Sequence, residues 1–143
     1  MAVSDVSITA SNVKRVNSGE GTQVRLLGEA VDAGEVCYLN STTYDLADGD
    51  SATAGAKKAA IAMALDSGST SDPVAFAING ETVNVGAVLT ANRTYYLSDT
   101  GGKILEESDL GELATGDAIV RVGYSTSTSL LVLDFQDYGT TAP

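Results

Sequence analysis

The chain has 143 residues, 43% of them hydrophobic, which is one domain's worth and enough for a single modest core. Eight basic residues against 19 acidic ones give a net charge of −11. That balance argues against free nucleic acid and against an anionic membrane, both of which need clustered Lys and Arg. There is no histidine and no tryptophan, so Ser-His-Asp and Cys-His catalysis are out of reach of this chain's own residues.

Taken in order, Met1 to Ala10 lacks a basic start and an apolar run, so no signal peptide is expected. The chain then reads as non-secreted, and the sequons at Asn40 and Asn92 as unused. Residues 1–21 are expected to form an extended arm with a strand-like stretch over Val6–Ser11. Its exposed contacts are Val3, Val6, Ile8, Val13, Lys14, Arg15 and Val16. Up to residue 25, Lys14, Arg15 and Arg25 face Asp5 and Glu20, a net +1, which leaves −12 for the remainder. An ordinary edge strand is the plain alternative for this segment.

Residues 22–138 read as one β domain made of two similar units, at about 24–80 and 82–138. An offset of 58 aligns Gly28 to Thr42 with Gly86 to Thr100, with five identities in fifteen positions. Unrelated segments of average composition would give about one. The same offset places Ala60-Ile61 on Ala118-Ile119. Each unit has a strand, a Gly-containing turn, a strand ending in Tyr-Leu, a polar turn, a short acidic stretch and two closing strands. Asp50 or Ser51 is expected to cap one helical turn through Lys58. Along Ala60–Leu65 the alternation puts Ile61, Met63 and Leu65 on one face. Residues 139–143 are expected to be a free tail. The fold class that follows is all-β, a small sandwich or barrel built from two pseudo-repeated units with an N-terminal arm.

Candidate chemistry is sparse. Cys37, near Val36 and Leu39, reads as a buried thiol that fits a reducing compartment. Asp45, Asp48 and Asp50 offer oxygen ligands for Ca²⁺, but their spacing is not that of an EF-hand loop, and a solvated acidic turn explains them. Glu106, Glu107 and Asp109 form the matching patch in the second unit, and any acidic protein supplies such carboxylate pairs. No catalytic residue, metal, cofactor or small-molecule substrate is therefore assigned. Tyr38 and Tyr96 are expected to anchor the same core position in each unit, while Tyr95, Tyr124 and Tyr138 are interface candidates.

The order Asn12-Val13, Gly28 to Leu39, Leu46 to Asp50, Ala60 to Gly68, Gly86 to Ile104 and Val122 to Leu133 resembles small structural proteins of phages. More narrowly, it is similar to the head-decoration (capsid cement) proteins of tailed bacteriophages. The resemblance covers most of the chain, and its motifs are turns and strand ends. It implies a virion protein, made in the host cytoplasm, that binds the major capsid protein on the outer surface of the head as a homotrimer. An extended terminus, here Ala2 to Val16, would reach onto the shell, and many weak contacts would add by avidity. The competing expectation is a tail-fibre or receptor-binding module that takes carbohydrate.

Overall fold

The structure is a computed structural model, and it describes residues 5–16, 22–50, 52 and 54–143. Two antiparallel sheets pack face to face, so the chain is an all-β sandwich. The strands in chain order are β1 (Lys14–Arg15), β2 (Thr22–Leu26), β3 (Val36–Asn40), β4 (Thr43–Leu46), β5 (Ala60–Ala64) and β6 (Pro73–Ala77). They continue with β7 (Thr82–Asn84), β8 (Thr94–Leu97), β9 (Ile104–Glu106), β10 (Ala118–Ser125) and β11 (Leu130–Thr141). Where the sequence predicts one helical turn, α1 (Ala54–Lys57) is a short kinked turn, with Gly55 at φ 23° and ψ −125°, outside helical values. There the Asp50 carboxylate accepts the Ala52 N–H, and Ser51 lies outside the described residues.

One sheet runs β2-β6-β5-β3-β4 and the other β1-β7-β11-β10-β8-β9. With β1 set aside, the two orders are the same under the correspondence β2 with β7, β3 with β8, β4 with β9, β5 with β10 and β6 with β11. The last hairpin keeps the offset of 58 at its turn end and loses it by one position at Arg121, which pairs with Gln136 where Met63 pairs with Ala77. The Leu65 N–H donates to the Ala75 carbonyl, and Gly123 pairs with Leu133. The Tyr-Leu strands do not keep it, since Tyr38 pairs with Ala60 but Tyr96 pairs with Arg121, three positions further along than the offset demands.

That slide corrects the tyrosine reading. An odd shift turns a strand's side chains to the opposite face. Tyr38 and Tyr95 are therefore the buried pair, both in the core between the sheets, and Tyr96 is half-buried on the other side. Tyr95 cannot be an interface residue, because almost none of it reaches solvent. Its hydroxyl instead closes the 90–95 loop, donating to the Thr90 carbonyl and accepting the Thr90 N–H at 2.8 Å.

The five-stranded sheet curls until its ends touch. Leu27 bridges Tyr44, and the Gly28 N–H donates to the Tyr44 carbonyl. Inside the curl sits a second core of Leu27, Val31, Cys37, Tyr44, Ala62, Ala64, Val74 and Phe76. Cys37 is fully buried there, and burial together with Glu35 pushes its thiol far up, so it stays neutral. The alternation read for β5 fails at Ile61. Cys37 pairs with Ala62 and Tyr38 with Ala60, so Ile61 is an extra residue on the bulged strand. Ala60 and Met63 then face the main core, Ala62 and Ala64 the second one, and Ile61 faces outward.

Both ends differ from expectation. Val6–Ser11 is not a strand; it is extended chain leading into a 3₁₀ turn at Ala10–Asn12. The expected tail is fixed, because β11 runs to Thr141 and the Ala142 N–H donates to the Asp117 carbonyl. Ala142 is buried beside Leu105 and Leu113. Twelve residues in one strand let β11 pair along the whole of β10, and this draws the C-terminus in.

Candidate binding surfaces

The N-terminal segment was the first site predicted. The structure lays residues 5–16 on the body instead of sending them outward. The Val6 N–H donates to the Ile104 carbonyl at the edge of β9. Val6, Ile8 and Ala10 pack on the main core, and Val13 is buried in it. Lys14 and Arg15 form β1 against Asn84 and Val83 of β7. These side chains spend their apolar surface internally, which corrects the reading of Val6, Ile8 and Val13 as free contacts. Val16 remains exposed, and Val3 lies outside the described residues. A cavity of about 80 Å³ remains between this segment and the two sheets, with Val6, Ile8, Gly34 and Lys103 in its wall. Gly34 has φ +91°, and a side chain there would run into Ile8. A 3.1 Å ion pair between Lys103 and Glu35 closes the rim.

Beside that segment four carboxylates approach each other: Asp5, Asp50, Asp99 and Asp117. The Ser98 hydroxyl, fully buried, hydrogen-bonds the Asp5 carboxylate and so ties the N-terminal segment to the β8–β9 turn. Asp117 is buried, and its carboxylate accepts the Ala114 N–H at 2.9 Å. Burial, then repulsion from Asp117, Asp5 and Asp50, raises the pKa of Asp99 above the ordinary carboxylate value. A raised value means that the folded chain takes up this proton before the unfolded chain does. The favourable contribution is complete below roughly pH 4 and is lost as pH rises through the shifted value. An Asp99→Asn variant should therefore melt above the parent at pH 7 and level with it at pH 3. A difference in melting temperature that is the same at both pH values would refute the repulsion account.

The acidic residues weighed as calcium ligands accept hydrogen bonds within their own turns. Asp45 accepts from Thr43 and Asn40, Asp48 from the Asp50 N–H, and Asp50 from the Ala52 N–H. Among the described residues no three acidic or cysteine side chains converge as a metal donor set.

The outer face of the six-stranded sheet gathers the remaining tyrosines. Leu131, Leu133 and Phe135 of β11 point into the core, so Val132 and Asp134 point out. Arg121 stands opposite Tyr96, pairs with Asp134 at 3.3 Å and lies over the Tyr124 ring at 5.6 Å. Arg121 also carries a buried Nε without a hydrogen-bond partner. Tyr96 lies close enough to Tyr138 for burial and then that neighbour to raise its pKa. Tyr124 and Tyr138 are 39% and 47% exposed. Two of the three predicted interface tyrosines thus share one face, with Tyr96 replacing Tyr95. A register shift between Arg121 and Gly123 puts Tyr124 beside Arg121, although the two are an odd number of residues apart.

The fold and these surfaces define an all-β two-sheet protein with a tyrosine-bearing outer face and a folded-back N-terminus. No protein-family model and no curated protein matches the chain.

Proposed function

We propose that this chain is a capsid decoration protein, which binds the outer surface of a phage head through protein–protein contacts as a homotrimer, with the major capsid protein as partner. The observation that carries the reading is the outer face of the six-stranded sheet. It presents Tyr96, Tyr124 and Tyr138 around one arginine, and Tyr and Arg are the residues enriched where proteins meet. The turn and strand-end motifs that resemble decoration proteins support it, because they run through both sheets. We also read the two sheets as versions of one unit, on the shared strand order and the matching turn end of the closing hairpin.

The contact role moves from the N-terminal segment to this face, since Val6, Ile8 and Val13 are committed to the core. A Tyr124→Ala/Tyr138→Ala double variant tests it. Neither ring is buried in the core, so the melting temperature should stay within a few degrees of the parent. Sedimentation with expanded heads should show at least a tenfold weaker association. Unchanged saturation of heads by the double variant would rule this face out.

A further inference from the structure

The chain is strongly acidic, so copies of it repel wherever carboxylate meets carboxylate, and a contact between copies needs a cation. Most of the cations are already engaged within the chain. Lys58 pairs with Asp137, Arg93 with Glu106, Lys103 with Glu35 and Arg121 with Asp134, and Arg25 lies over the Tyr44 ring. Lys14 is exposed, and no carboxylate among the described residues pairs with it. Lys14 and Arg15 make up β1, the strand at one edge of the six-stranded sheet, and Val16 beside them is 52% exposed.

The opposite edge of that sheet carries the opposite sign. After β9 the chain enters a 3₁₀ turn, Glu107–Glu112, whose acidic side chains are Glu107, Asp109 and Glu112. Leu110 of this turn packs with Leu105 and Leu113. Leu105 stands opposite Tyr96, so the turn lies on the outer face of the sheet. Lys14 stands opposite Asn84, next to the inward-facing Val83, and so by alternation belongs to the same outer face. Six strands set the two edges about 24 Å apart, against a screening length of about 8 Å at physiological salt. The two charges therefore do not satisfy each other within one chain.

We infer that the β1 edge of one copy meets the Glu107–Glu112 edge of the next, head to tail, with Lys14 against the Asp109 carboxylate and its acidic neighbours, and that three such contacts close a ring. An edge-to-edge twofold pair would set Lys14 and Arg15 on themselves or the acidic turn on itself, so the charge pattern disfavours both. A twofold pair stacked face to face would match the signs but would bury the Tyr96, Tyr124 and Tyr138 face. Rotation about an axis normal to the sheet leaves that face of every copy turned the same way, free to meet the shell. Exposed ion pairs contribute little singly, so the ring is weak in dilute solution and gains where copies sit side by side on a repeating surface. This contact is the interface of the homotrimer proposed above and rests on that reading, but it is measured on free protein, so head binding through the tyrosine face can stand if the ring fails.

Sedimentation equilibrium of the free protein tests it. At about 0.1 M salt, charges in contact still attract while the general repulsion between whole bodies is screened, and at about 1 M salt both are lost. The mass should rise with concentration toward three chains in the first buffer and stay at one chain in the second. Lys14→Glu and Asp109→Lys should each weaken association at least tenfold, and the Lys14→Glu/Asp109→Lys double variant should return to within about threefold of the parent. Asp109→Lys is the decisive single variant, because it lowers the net negative charge, and general repulsion alone would make it associate better than the parent. Tighter association of Asp109→Lys, no recovery in the double variant, a mass that levels off at two chains, or a parent that stays monomeric in both buffers would overturn the inference.

Discussion

A Phe76→Ala variant should melt roughly 10–15 °C below the parent. Phe76 is fully buried at the centre of the curled sheet, edge-on to Tyr44 with ring centroids 4.6 Å apart. Truncating a buried phenylalanine removes transfer energy and leaves a cavity, which costs about 3–5 kcal/mol. For a chain of this length each kcal/mol corresponds to roughly 3 °C. The second core is small, and Ala62 and Ala64 beside Phe76 have no side-chain length with which to fill the space. Phe76→Leu should recover more than half of the loss. Scanning calorimetry checks both values, and a loss under about 3 °C for alanine would mean that the curled sheet is not packed as described.

Gly123→Ala should also lower the melting temperature, for a different reason. A β-carbon at position 123 would fall on the Val132 carbonyl oxygen, and that atom is backbone in the partner strand. No rotamer change relieves the clash, so β10 and β11 must separate locally. Overpacking of this kind costs about 1–3 kcal/mol and more where backbone has to move. The β10–β11 pairing is the longest in the molecule and holds the C-terminus through Ala142. Amide exchange should accordingly speed up along residues 130–141 in the variant, while the second core keeps its protection. Uniform exchange in both sheets would argue that the two sheets unfold as one unit.

How far the sequence could be read depended on whether a feature obeys a period. Strands at Val36–Asn40, Ala60–Ala64, Pro73–Ala77 and Leu130–Phe135 were legible because apolar residues there alternate or run together between turns rich in Gly, Asn and Asp. The all-β class followed from them. Which face each residue takes was less legible, because bulges at Ile61 and around Gly123 break the period without changing composition. Tyr95 and Tyr96 show the cost most plainly. They are adjacent and chemically identical, and only a register set by long-range pairing decides which one enters the core. The N-terminal segment failed for a related reason. Val6, Ile8 and Val13 look the same as an arm or as a fold-back, and the groove beside them is built from residues far along the chain, at 32–35 and 102–104. The tyrosine face was half-visible: Tyr124 and Tyr138 were identified, but Arg121 and Asp134 drew no notice, since their pairing exists only once β10 and β11 are aligned.

The central claim is that a rigid two-sheet body works by docking on a protein lattice. Cryo-EM of phage particles that carry this chain tests it most directly. The account predicts density for the two-sheet body on the outside of the head, repeated with the symmetry of the shell, with the Tyr124 and Tyr138 face turned toward a neighbouring protein. Density confined to a tail structure, or a particle on which the chain is absent while it acts in solution as a monomer, would contradict it.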